Sequence, residues 1–207
     1  RSVMLSGPAG QLEALLWSTP ERGDGARPPL AAVVCHPHPL FGGTMHNKVV
    51  YQIAKTLHRF GLPVLRFNFR GVGLSEGAYD EGRGEIDDAA AALDFLAGEY
   101  PNAPLLLAGF SFGSWVGLNA GRDDSRVQEL IGLGLPVGDM GNRGFSDLHA
   151  CAKPTLLACG EFDIYCPQDK LRAMVDALPA QVREHTSIAV IRGADHISNT
   201  PKQVLLY

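Results

Sequence analysis

Residues 105–118 read LLLAGFSFGSWVGL. An apolar run stops at Gly109 and an amphipathic run starts just after Ser111. The serine stands between Phe110 and Phe112, with Gly109 and Gly113 two places away on either side. This is G-x-S-x-G, placed where a buried strand gives way to a helix. A strand-to-helix turn that sharp forces its central residue into a strained backbone conformation. Side chains two places before and after would collide with the turn, so glycine serves at both. The serine hydroxyl then projects above the strand ends, and the N–H groups of the helix N-terminus face any negative charge that develops beside it. A serine that merely caps a helix would leave the same local trace. The rest of the chain decides between the two.

Working outward, strands and helices alternate. LAAVVC (30–35) is a short continuous apolar run, as in a strand buried on both faces. NKVVYQIAKTLHRFG (47–61) puts Val49, Ile53, Leu57 and Phe60 on one helical face and stops at Gly61. PVLRFNF (63–69) reads as strand, and EIDDAAAALDFLAGEY (85–100) as a helix whose apolar face is Ile86, Ala90, Leu93 and Ala97. Helix SFGSWVGLNAG (111–121) follows the opening strand. Then come strands VQELIGLGLP (127–136) and PTLLACG (154–160), helix PQDKLRAMVDAL (167–178) and strand TSIAVIRG (186–193). Ahead of all these, VMLSG (3–7) and QLEALLWST (11–19) form a hairpin, and the polar Pro/Gly stretch 19–29 is a surface loop. The alternation predicts a mostly parallel central sheet with helices on both faces and an antiparallel hairpin at one edge, in a single domain over 1–207.

Composition narrows the class. The 207 residues are 45% hydrophobic and 19% charged, ordinary for a globular chain. A formal net charge of -4 and the lack of any Lys/Arg cluster argue against nucleic acid as a partner. No apolar run is long enough to span a membrane, and no secretory signal is visible. The expected location is the cytoplasm, although the chain starts at Arg1 rather than Met, which leaves room for a removed segment. Cys35, Cys151, Cys159 and Cys166 show no C-x-x-C spacing and are expected to be buried, reduced thiols.

A serine hydroxyl needs a base to take its proton. His196, in RGADHIS just past the last strand, would lie at the carboxyl edge of the sheet. The base needs a carboxylate to fix its tautomer. Asp163 in LLACGEFDIYCP follows the penultimate strand; Asp139 in GLPVGDM is the second choice. Asp195 adjoins His196 and more naturally shapes the loop, and Glu161 reads as structural. For an oxyanion hole, one donor is the backbone N–H of Phe112. The other lies in HPHPLFGGTMHN (36–47), where Pro37 and Pro39 have no N–H; His38 is the first choice and Leu40 the second. The set His36, His38 and His46 could suggest zinc, but no carboxylate or cysteine ligand has suitable spacing, so no metal and no cofactor is expected. His36 is assigned instead to backbone hydrogen bonds that hold the loop. Arg70, in RGVGLSEG (70–77), is assigned to a structural hydrogen-bond hub rather than a substrate anion site.

Together CHPHPLFGGTMHNKVV, FNFRGVGLSEG, GFSFGS, GEFD and GADH resemble the small, lidless α/β-hydrolases of bacteria, the dienelactone-hydrolase-like serine esterase group. The chain order Ser, Asp, His is also the order of that fold. The resemblance implies an α/β-hydrolase fold with no lid domain, Ser111 as nucleophile, His196 as base and Asp163 as acid. It departs from true dienelactone hydrolases, which use cysteine. It also departs at the end of the chain, where TPKQVLLY (200–207) gives only about two helical turns in place of a longer closing helix, so different stability or dimer contacts are expected and a homodimer stays open. The expected activity is hydrolysis of short-chain, water-soluble carboxylic esters through an acyl-enzyme, in a shallow pocket lined by Phe41, Phe110, Phe112, Trp115 and Tyr165. A thioesterase or peptidase would use the same three groups, and a non-catalytic binding protein could keep the fold.

Overall fold

The computed structural model describes residues 1–19, 30–138 and 146–196. Among these residues eight strands form one sheet in the order β1-β2-β4-β3-β5-β6-β7-β8. The hairpin β1 (Ser2–Gly7) and β2 (Gly10–Trp17) is antiparallel, and β2 also pairs antiparallel with β4 (Val64–Phe67). From β4 onward the pairing is parallel, through β3 (Ala31–Cys35), β5 (Leu105–Phe110), β6 (Val127–Leu133), β7 (Thr155–Gly160) and β8 (Thr186–Ile191).

Both faces of the central strands are covered, which explains their continuous apolar runs. Along β5, Leu105 and Leu107 enter one core, while Leu106, Ala108 and Phe110 enter the other. On the second face lies α1 (Lys48–Arg59), which buries Val49, Val50, Ile53 and Ala54. Asn47 caps it, its Oδ1 accepting from the Val49 N–H at 2.9 Å. The first face carries α2 (Arg83–Glu99), α3 (Phe112–Arg122), α4 (Gln168–Asp176) and the short α5 (Ala180–Arg183). The last of these was not foreseen: Pro179 separates it from α4.

The buried stripe of α2 is rotated from the expected one. It runs through Glu85, Asp88, Ala89, Ala92, Leu93 and Leu96, while Ile86, Ala90 and Ala97 are only partly buried. The cause is two buried acids that an apolar count passes over. Glu85 accepts from the Gly82 N–H at 2.7 Å and the Asp80 N–H at 2.9 Å. Asp88 accepts from Arg70 at its backbone N–H, Nε and Nη2. Arg70 is thus a structural hub that fastens the β4 loop to α2.

The chain runs from β3 sideways to β4, then crosses back to β5 on the other side of β3. The sheet therefore reverses direction between β3 and β5, and in open α/β sheets a crevice forms at the carboxyl ends there. His36, fully buried, sits at that point. Its Nε2 accepts from the Phe69 N–H at 3.0 Å, and its Nδ1 donates to the Pro37 carbonyl at 2.6 Å. One imidazole thus joins the β3 loop to the β4 loop. Both nitrogens are engaged, so a metal ion would have to displace these bonds. No helix among the described residues is long and apolar enough to cross a membrane.

Burial lowers the His36 pKa from 6.5 to about 4. Between these values the unfolded chain binds the proton and the folded one does not, so the contribution of His36 is complete above pH 6.5 and is lost as pH falls toward 4. The expected loss is at most about 1.4 kcal/mol per pH unit across that window. Urea denaturation at a series of pH values should show this slope. His36→Gln, which cannot titrate, should flatten it.

Candidate active site

Ser111 lies between β5 and α3 with φ 55° and ψ -121°, a left-handed backbone that a non-glycine residue rarely adopts. Its N–H donates to the Leu133 carbonyl at 2.8 Å, which ties the turn to the end of β6. Its carbonyl accepts from the Ser114 N–H at 2.9 Å and from the Ser114 hydroxyl at 2.6 Å. The two glycines serve close packing. A Cβ on Gly109 would stand 2.1 Å from the Gly113 carbonyl oxygen. A Cβ on Gly113 would stand 2.3 Å from the His36 carbonyl oxygen, so that glycine clears the end of β3 rather than the turn itself.

The structure brings Ser111, His196 and Asp163 together. Ser111 Oγ and His196 Nε2 are 3.0 Å apart. His196 Nδ1 lies 2.8 and 2.9 Å from the two Asp163 oxygens. A carboxylate only accepts, so Nδ1 carries the proton and Nε2 is left to accept from the serine hydroxyl. Asp163 is itself held: Oδ1 also accepts from the Tyr165 and Cys166 N–H groups, each at 2.9 Å. Its side chain is 2% exposed and that of His196 14%, so the pair is nearly dry while the imidazole edge still meets the crevice. Asp139 lies outside the described residues. Glu161 accepts from the Gly193 N–H at 2.8 Å and thereby pins the turn that carries His196.

The imidazole sits between two rings, Phe110 at 4.9 Å and Tyr165 at 4.6 Å between centroids. This corrects the expected pocket. Phe110 is 4% exposed because position 110 of β5 points into the sheet face beneath His196, so its ring is covered by the imidazole and is not on the open surface of the crevice. Phe112 is buried as well, its ring packed against Phe69 and His38. Trp115 is half-buried against the core. Phe41 stands 76% exposed at the mouth.

Two supporting residues escaped the sequence reading. Gly134, just past β6, has φ 56°, and a Cβ there would lie 3.0 Å from His196 Cε1 and 3.1 Å from the Phe110 ring. Tyr79, from the β4 loop, meets His38 Nε2 with its hydroxyl at 3.1 Å. Neither stands in a recognisable motif. All four cysteines are free and buried, as expected.

Known proteins agree with this geometry at the level of class: the chain is a serine hydrolase of α/β-hydrolase fold. It belongs to the family described as serine aminopeptidase, S33, whose profile matches residues 28–135. An uncharacterized protein of Rickettsia prowazekii (strain Madrid E) is 38% identical over 197 residues, 94% of this chain and 80% of that one. Among solved structures, an alpha-beta serine hydrolase homologue from Coxiella burnetii is 36% identical, with a TM-score of 0.84 over 95% of this chain and 89% of that chain. A serine hydrolase without a lid from Xanthomonas campestris is 35% identical, with a TM-score of 0.82 over 96% and 86%. In this chain residues 134–154 join β6 to β7.

Gly134→Ala should displace the His196 ring, because the new methyl would stand 3.0 Å from Cε1, too close for the ring to stay where it is, on a backbone that disfavours a side chain. Small misplacements of reacting groups cost on the order of a hundredfold. Hydrolytic turnover is expected to fall by roughly 10- to 100-fold on that ground, with a cooperative thermal transition retained. Turnover close to wild type would mean that Gly134 does not set the imidazole position.

Proposed function

We propose that the protein is a carboxylic-ester hydrolase that cleaves short-chain, water-soluble esters through an acyl-enzyme on Ser111. The observation that carries this reading is the unbroken line from Ser111 Oγ through His196 to Asp163, at 3.0 and 2.8 Å. Ser111 Oγ attacks the ester carbonyl carbon while its proton passes to His196 Nε2. The carbonyl oxygen becomes an oxyanion, and Asp163 stabilises the imidazolium. Collapse of the tetrahedral adduct breaks the bond to the alcohol oxygen, which leaves with the proton from Nε2. Water then repeats the sequence against the acyl-enzyme and releases the acid.

Two backbone donors are assigned to the oxyanion, the N–H of Phe112 at the start of α3 and the N–H of His38. The neighbouring positions of the loop are less suited. Pro37 and Pro39 have no N–H. The Leu40 N–H donates to His38 Nδ1, those of Phe41 and Gly43 to the His38 carbonyl, and that of Gly42 to the Pro39 carbonyl. Leu40, the second choice, is therefore already engaged.

Short acyl chains are favoured because residues 134–154, which join β6 to β7, are too few for a lid domain that would build a deep acyl pocket. The exposed Phe41 and the ring of Tyr165 are the surfaces assigned to substrate. The same features favour placement among the dienelactone-hydrolase-like serine esterases, and the four free cysteines suit a cytoplasmic protein. The family description favours amide cleavage as the competing reading. Relative rates on matched ester, thioester and amide substrates decide between them.

Ser111→Ala should lose at least about 10⁴-fold in turnover, and adding His196→Ala should cost little more, since such groups act as a unit. Asp163→Asn should lose at least about a hundredfold, because an amide favours the wrong imidazole tautomer. Nitrophenyl esters from acetate to palmitate give the measurement, with rates expected to fall as the chain lengthens. Near wild-type turnover of Ser111→Ala would overturn the assignment.

A further inference from the structure

The peptide between Pro37 and His38 would carry the oxyanion donor, and it is restrained from several sides. Its carbonyl oxygen accepts from His36 Nδ1 at 2.6 Å. In a trans peptide the N–H points away from the C=O, so fixing the oxygen aims the hydrogen. Gly43 backs the same peptide: a Cβ there would stand 2.0 Å from the Pro37 oxygen and 2.5 Å from its carbonyl carbon. On the far side, His38 gathers the loop around itself. Its carbonyl accepts from the Phe41 N–H at 3.1 Å and the Gly43 N–H at 3.0 Å, and its Nδ1 accepts from the Leu40 N–H at 3.2 Å.

Proton bookkeeping then fixes both rings. His36 Nε2 accepts from the Phe69 N–H, so the His36 proton is on Nδ1 and goes to the Pro37 carbonyl. His38 Nδ1 accepts from the Leu40 N–H, so the His38 proton is on Nε2 and goes to the Tyr79 hydroxyl oxygen at 3.1 Å. The two histidines hold opposite tautomers, each dictated by a backbone N–H. Ring contacts hold the second imidazole at a tilt of 42–49° to its neighbours: Tyr79 at 5.0 Å, Phe41 at 4.7 Å and Phe112, the residue after Ser111, at 4.9 Å.

We propose that the His38 side chain, bridged between the Leu40 N–H and the Tyr79 hydroxyl, is a positioning strut for the oxyanion-stabilising Pro37–His38 peptide, and that Tyr79 governs turnover through it without touching substrate. The effect on turnover rests on the reading of the His38 N–H as an oxyanion donor; the bridge itself does not. Tyr79→Phe keeps the ring and removes the hydroxyl oxygen that accepts from His38 Nε2–H. Removing an oxyanion donor outright costs on the order of 10²–10³ in turnover, and loosening one should cost about a tenth of that.

The test has three parts. In steady-state kinetics on a nitrophenyl acetate, Tyr79→Phe should lower kcat about tenfold with KM unchanged, and should slow fluorophosphonate labelling of Ser111 by a similar factor. His38→Asn places an acceptor at the same δ position, so it keeps the Leu40 bond but cannot reach Tyr79. In that background Tyr79→Phe should cost nothing further. A Tyr79→Phe kcat within twofold of wild type, or the same loss in both backgrounds, overturns the proposal. Nitrogen-15 NMR of the wild-type imidazoles should find the His36 proton on Nδ1 and the His38 proton on Nε2. A His38 proton on Nδ1 overturns the strut whatever the activity. Wild-type protein that shows the expected tautomers but no ester turnover would instead refute the esterase reading and with it the kinetic role of the strut.

Discussion

The arrangement depends on one residue held where its backbone would not rest by itself. Ser111 occupies the left-handed region at φ 55°, a conformation that costs about 1–3 kcal/mol for a residue with a side chain. Tertiary contacts offset it. The N–H is taken by β6, the carbonyl by the first turn of α3, and Gly113 lets that helix come down on the end of β3. The strain is thereby useful. It lifts the hydroxyl clear of the strand ends and turns the start of α3 toward the same point. A relaxed extended residue would send the chain onward and bury the oxygen.

The partners of Ser111 are held by the same means. Asp163 accepts from two N–H groups of its own turn, Glu161 pins the turn of His196, and Arg70 with Asp88 fixes the loop that delivers Tyr79. No buried side-chain N or O atom among the described residues lacks a hydrogen-bond partner. That matters for a hydrolase with an open mouth. The donors and acceptors are in place beforehand, and these loops are held both by polar bonds and by the residues they bury in the core, Phe69 beside Arg70 and Cys166 beside Tyr165.

Much of this was legible in the sequence because apolar runs and glycines report local geometry. The strands, α1 and the G-x-S-x-G turn each carry their own signal within a few residues, and the order Ser, Asp, His follows from the order of the strands. Other features were not legible. Asp88 and Glu85 are acids on the buried face of α2, and only their distant or backbone partners explain them. Phe110 reads as an exposed neighbour of the serine until the alternation of β5 is set against the position of His196. Tyr79 is 41 residues from His38 along the chain and no motif joins them, so only folding reveals the contact. Sequence patterns encode which face a residue takes; they do not encode which loop it will meet.

The close contacts around the site share a physical cause. At Gly113, Gly43 and Gly160 an added Cβ would stand 2.0–2.4 Å from a main-chain carbonyl oxygen: His36, Pro37 and Ala194. These carbonyls belong to the β3 loop and to the turn before His196, the two segments that flank Ser111. The site is thus assembled by main chain pressed against main chain, with glycine as the spacer that admits it. Side-chain packing can relax by changing rotamers, whereas a backbone carbonyl can move only with its whole segment. On the proposed esterase reading, a geometry set by such contacts tolerates varied side chains at the rim, so exposed residues such as Phe41 would change substrate preference while the distances among Ser111, His196 and Asp163 stay fixed.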